Sequence, residues 1–211
     1  MSPRRLRAHS RAAGLAAGAA VGVLAACTAH TATPEFDVGR ELPRAFPHPL
    51  GGATSDQIAS LMDAWRAETP ARYRPGPPVV AFAGDVPGGR VACVLSGRND
   101  RLAVTWWVAA VGQGAWRAII QSDERALGQA DLLLGMELQA RGAHPAVAIG
   151  PSGTTSLKFL NSGKTVRPAP GSVASIAIVE DDQSAARPER VIGSLADGEH
   201  TTVLAVVSSR R

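Results

Sequence analysis

Apolar residues recur along this chain with two periods, and the change from one to the other marks its organisation. Between residues 54 and 68, Ile58, Leu61, Met62 and Trp65 fall at i, i+3, i+4 and i+7, the stripe of an amphipathic helix, with Asp56, Asp63, Arg66 and Glu68 off it. Thr54 with Gln57 three positions later predicts a capping box, and Pro70 predicts the end. From residue 79 the period becomes two. Val79–Val86, Arg90–Ser96, Arg101–Val111 and Trp116–Gln121 read as four strands of a meander, separated by turn residues at Pro87–Gly89, Gly97–Asp100 and Gly112–Gly114. In the third strand Leu102, Val104, Trp106 and Val108 share one face and Thr105, Trp107, Ala109 and Val111 the other. Both faces are apolar, which predicts a central strand covered twice, with the helix on one side.

Beyond a polar connection at residues 123–129 the pattern is less regular. Ala130–Ala140 is readable as strand or short helix, and the central Gly135 favours strand. Ala146–Ile149, Ser156–Leu160, Val173–Val179, Arg190–Ser194 and Thr201–Val207 are further strand candidates. The expected fold is therefore mainly β, an antiparallel meander or sandwich with one N-terminal amphipathic α-helix packed on the sheet. Residues 54–122 form the helix and four-stranded meander, and residues 123–211 form a second β-rich unit.

The start of the chain has neither period. Arg4, Arg5, Arg7 and Arg11 precede residues 12–26, which are Ala, Gly, Val and Leu only. A basic stretch followed by an apolar run of this length is the organisation of a signal peptide. The run is short for a membrane span of about 20 residues. It ends in Leu24-Ala25-Ala26-Cys27, which resembles the lipobox of bacterial lipoproteins. That resemblance implies removal of residues 1–26, cleavage between Ala26 and Cys27, a diacylglyceryl group on the Cys27 sulfur and a protein held on the outer face of the cell membrane. The competing readings are an ordinary cleaved signal with an incidental cysteine, or an uncleaved anchor. Residues 27–53 then carry the lipidated cysteine and a tether. Pro34, Pro43, Pro47, Pro49, Gly51 and Gly52 lie there without periodicity, which predicts an extended, disordered segment.

Charge follows from the same division. The whole chain is formally +4, but without the four signal arginines it holds as many acidic as basic residues. That removes the basic footprint a nucleic-acid partner requires. Two of the 22 basic residues are lysines, Lys158 and Lys164. Together with abundant alanine, this composition suits a high-GC genome. The order of lipobox, Pro-rich tether, helix, meander and later strands resembles uncharacterised actinobacterial exported proteins, on motifs such as Phe82-Ala83-Gly84-Asp85 before Pro87-Gly88-Gly89-Arg90-Val91. The resemblance implies no activity.

Candidate chemistry is sparse. Cys27 and Cys93 are the two cysteines, so no disulfide framework exists once Cys27 is lipidated, and Cys93 in an apolar run reads as a small core residue. Ser162-Gly163-Lys164-Thr165 matches the tail of a phosphate-binding loop. Lys158 stands where its first glycine belongs and Pro168 blocks the helix that should follow, so a hairpin turn is expected. His30, His48, His144 and His200 have no zinc-like spacing, and Glu180-Asp181-Asp182 reads as a solvated loop. Gly150-Pro151-Ser152-Gly153 is not a nucleophile elbow. No catalytic residue, metal or cofactor is expected. The reading is a membrane-anchored exported lipoprotein that binds or interacts, with a protein or cell-wall partner. Its rivals are a cell-envelope hydrolase or transferase whose site assembles only in the fold, and an accessory or sensory subunit of a membrane partner.

Overall fold

The meander forms as its alternation predicts. A computed structural model describes residues 36–110, 115–139, 144–168, 175–180 and 189–208. In it β1 (Pro78–Val86), β2 (Gly89–Arg98), β3 (Arg101–Ala109) and β4 (Arg117–Arg125) pair antiparallel in chain order. The helix α2 (Ser55–Glu68) begins with the expected capping box: the Gln57 N–H donates to Thr54 Oγ1 at 3.3 Å, and the Thr54 N–H to Gln57 Oε1 at 2.9 Å. Its stripe lies on the sheet. Leu61 and Trp65 are buried against Val80, Val94 and Trp107, with Ile58 and Met62 at the margin. Each such large side chain contributes about 1.5–3 kcal/mol of burial.

The remaining strands build two more sheets. β5 (Leu134–Gln139), β6 (Pro145–Gly150), β9 (Ser175–Glu180) and β12 (Ala205–Ser208) form one, in the order β12-β5-β6-β9, with β12 parallel to β5 and the other pairs antiparallel. β7 (Ser156–Phe159), β8 (Thr165–Val166), β10 (Arg190–Leu195) and β11 (Gly198–Val203) form the third, in the antiparallel order β11-β10-β7-β8. Ala130–Ala140 is thus mostly the strand β5, preceded by a short 3-10 turn at Gln129–Leu132. The stretch read as one strand at residues 201–207 is two, because the chain leaves the third sheet and joins the second at the buried Leu204.

Three cores lie between these layers. α2 and one face of the first sheet enclose the first. The other face of that sheet, with Cys93, Leu95, Leu102, Val104 and Trp106, meets Met136, Leu138, Val147 and Ile149 of the second sheet. The far face of the second sheet, through Ala146 and Ala148, meets Leu157, Phe159 and Val191 of the third. The order is helix, sheet, sheet, sheet. Trp106 and Trp107 fall on opposite faces of β3, as alternation requires, although the register to β4 shifts between them. The core between the first two sheets joins the segments 54–122 and 123–211, each of which also encloses a core of its own.

The expected tether needs correction. Residues 36–53 are part of the fold. Asp37 accepts the Gly39 N–H at 3.0 Å and caps a second helix, α1 (Val38–Ala45). Val38, Leu42 and Ala45, at i, i+4 and i+7, are buried in the core between the first two sheets, and Phe46 joins them. Leu50 and Gly52 then bridge to Phe82 and Gly84 along the outer edge of β1. Burial of three apolar side chains and pairing of an exposed strand edge outweigh the proline content on which the extended reading rested.

Candidate functional site

Among the described residues, a cleft with both apolar walls and polar groups opens between the first two sheets. Leu102, Val104 and Trp106 of β3 and Ile120, Ser122 and Glu124 of β4 form one wall, since alternate residues of neighbouring strands share a face. Leu133, Leu134 and Gly135 form the opposite wall, and Thr201, Thr202 and Val203 close one side. The volume is about 290 Å³, at the lower end for a small-molecule site. Val203, 59 % exposed, leaves an apolar side chain at its rim.

Two of its charged groups are already engaged. Arg125 Nε donates to Asp100 Oδ2 at 2.5 Å. Asp131 Oδ2 accepts the N–H groups of Leu127 at 2.6 Å and Gly128 at 3.1 Å, which holds the 3-10 turn at the cleft's edge. Ser122, Thr201, Thr202 and Glu124 remain as hydroxyls and a carboxylate facing the space. This set offers hydrogen bonds and one negative charge to a ligand. It contains hydroxyls but no imidazole, amine or thiol beside them to activate one.

The residues singled out from sequence do not converge on this cleft. Ala26, Cys27 and His30 lie outside the described residues, as do Asp181, Asp182 and the turn at 112–114. Trp107 is fully buried under α2 and is not in the lining of this cleft, and its indole N–H, like that of Trp65, meets no acceptor among the described residues. Cys93 is fully buried, and burial pushes its thiol far above the ordinary cysteine range, which leaves it a protonated core residue. His48 is exposed, His200 meets Asp197 at 2.9 Å, and His144 Nδ1 is buried with no hydrogen-bond partner among the described residues. Ser152 gives its N–H to the Ala45 carbonyl and ties α1 to the β6–β7 loop. Among the described residues no three His, Cys, Asp or Glu side chains gather as a metal site, and no helix is long and apolar enough to cross a membrane.

Ser162-Gly163-Lys164-Thr165 is the hairpin turn between β7 and β8, with Gly163 at φ +69°. Two of its amides are engaged within the chain, the Lys164 N–H with Ser162 Oγ at 3.4 Å and the Ser162 N–H with Glu189. The carboxylate of Glu189, itself 0 % exposed, accepts the N–H groups of Asn161 at 2.7 Å and Ser162 at 3.3 Å, and of Arg190 at 3.0 Å. An internal carboxylate thus gathers the backbone amides at the start of the turn. Nothing near 162 in sequence announces it, because its partner lies 27 residues away. Elsewhere Arg101 pairs with Asp123, whose hydrogen bond raises the guanidinium's pKa.

No protein-family model, curated protein or solved structure matches this chain.

Proposed function

We propose that this chain is an exported lipoprotein whose layered β domain works as a binding module on the outer face of the cell membrane. The observation that carries it is a spacing. Cys27 ends the apolar segment in the Leu24-Ala25-Ala26-Cys27 arrangement, and by Phe36, nine residues later, the chain is part of a described fold with three cores. A lipid on Cys27 anchors that domain, and two or three acyl chains at about 0.8 kcal/mol per buried CH₂ make the attachment stable. The cleft between the first two sheets supports a binding role, through hydroxyls and a carboxylate set in apolar walls.

The test is acylation of Cys27. Cells fed a labelled fatty acid should incorporate it into the native chain, and Cys27→Ala should abolish that label and leave the precursor uncut. Mass spectrometry of the native protein should find residue 27 as the modified N-terminus. An unmodified sulfur, or residues 1–26 still attached, refutes the reading.

A further inference from the structure

The tether is far shorter than the sequence pattern suggests, because residues 36–53 belong to the fold. Nine residue steps separate Cys27 from Phe36, a reach of at most about 30 Å even when fully extended. A domain of this length measures about 40 Å across. An anchor shorter than the domain is wide restricts which end can face the bilayer: the end from which the tether leaves.

That end is defined by contacts. The Val38 N–H donates to the Asn99 carbonyl at 2.6 Å, so α1 starts on the turn between β2 and β3. Asn99 takes φ +53° there. The 3-10 turn at Ala71–Tyr73 sits at the same place: Arg101 Nη2 donates to the Arg72 carbonyl at 3.4 Å, and the Gly76 N–H to Ser96 Oγ at 3.0 Å. Six arginines gather at this end among the described residues, against Asp37, Asp100, Asp123, Glu68 and the unpaired Glu124. Arg40, Arg101 and Arg125 are matched by Asp37, Asp123 and Asp100. Arg72, Arg74 and Arg98 are exposed and form no ion pair with a described carboxylate. Arg72 lies over the Tyr73 ring at 4.8 Å, and Arg74 over the Trp65 ring at 6.0 Å. Glu68, in the last turn of α2, is the nearest unpaired acid in sequence.

We infer that Arg72, Arg74 and Arg98 dock this end of the first sheet on anionic phospholipid headgroups, so that the domain lies against the membrane that anchors it. The inference rests on Cys27 being the anchor for its orientation, but the headgroup contact itself does not need the lipid. Three unneutralised guanidiniums beside the tether's exit meet a negative leaflet with complementary charge, each changing affinity about fivefold at moderate salt. Half-buried Tyr73 places an aromatic ring at the interface depth such rings favour.

The chain from residue 27 to 211 carrying Cys27→Ser keeps the whole compact unit, which begins at Pro34. It should co-sediment with phosphatidylcholine vesicles holding about a third phosphatidylglycerol at about 0.1 M salt and be released near 1 M. Arg72→Gln, Arg74→Gln and Arg98→Gln together should lower the partition coefficient roughly a hundredfold. Arg90→Gln with Arg117→Gln, at the opposite end of the same sheet, should leave it unchanged, with melting temperature monitored for all three chains. Equal binding to vesicles of phosphatidylcholine alone, no release by salt, or equal losses in both sets of variants overturns the inference. An unmodified Cys27 in the native protein refutes the lipoprotein reading while leaving this vesicle result to stand or fall by itself.

Discussion

Gly97→Ala should lift α1 from the first sheet without dismantling the sheet. A Cβ built at Gly97 overlaps Val38 Cγ1 and stands 2.9 Å from Val38 Cβ and 3.2 Å from Leu42 Cδ1. Both side chains are essentially inaccessible, at 0 % and 1 % exposure, so neither has room to retreat. Overpacking of this kind costs about 1–3 kcal/mol. The ceiling is the loss of docking altogether, since an eight-residue helix with Pro43 inside it does not persist alone. For a domain of this size each kcal/mol lowers the melting temperature by about 2–4 °C. Hydrogen exchange should accelerate at residues 38–46 more than in β2 and β3, and limited proteolysis should cut first between residues 36 and 53. Val38→Ala removes the methyl that collides. Added to Gly97→Ala it should cost about 1 kcal/mol less than it does alone. A Gly97→Ala protein within about 0.5 kcal/mol of the parent, with residues 38–46 as well protected as before, refutes the docking, as does strict additivity in the double variant.

The other outcomes follow from buried groups. The Cys93 thiol, raised by burial, stays protonated in the fold at pH values where an unfolded cysteine ionises. Stability is therefore fully present below about pH 8.5 and falls as pH rises above it, by up to about 1.4 kcal/mol per pH unit. Denaturant melts at stepped pH should show Cys93→Ala losing that slope, and a slope unchanged by the substitution refutes it. Cys93→Ser places a hydroxyl in the core and should cost about 1–3 kcal/mol, and a thiol reagent should reach native Cys93 no faster than the protein unfolds. Glu189→Ala strips the acceptor from three backbone amides and should cost about 2–4 kcal/mol in chemical unfolding, with Glu189→Gln in between. A Glu189→Ala protein as stable as the parent removes the case that this carboxylate holds the β7–β8 turn.

What the sequence disclosed depends on how local the cause is. α2 was legible because its cap, its stripe and its terminator all lie within 17 residues, and the structure contains each of them. The meander was legible because its turns are short and both faces of β3 are apolar, so neither neighbour could be solvent. α1 was missed although Val38, Leu42 and Ala45 carry a helical stripe and Asp37 a cap. Pro43 and the prolines after it spoke for an extended chain, and the compensation, a pocket over Gly97, comes from a strand 55 to 59 residues away. The cleft was not legible at all. Its walls come from β3, β4, β5 and the β11–β12 crossing, and Ser122 and Thr202 carry no local sign of facing one space. Cys27 is the reverse case: its meaning is entirely local to the four residues that end the apolar segment, and it lies outside the described residues.

The low aromatic content, 4 % of the chain, also finds a cause in the stacking. A sheet covered on both faces must let two other layers approach it, and small side chains on one face of a strand let the layer on that side come close. β6 resolves this by alternation: Val147 and Ile149 face the first sheet, while Ala146 and Ala148 face the third. β2 carries Cys93 and Leu95 on one face and Ala92 with Val94 on the other. Phe159 and Leu157 sit opposite the alanines of β6, and Ala92 leaves room beside Trp107 of the neighbouring strand in the core that also holds Trp65. Cys93 belongs to this scheme as a small residue in a doubly covered strand, which is why its volume matters to the protein and its reactivity does not. Enlarging Ala148 should therefore separate the second and third sheets while the first sheet keeps its packing, a directional response that a loosely filled core would not give.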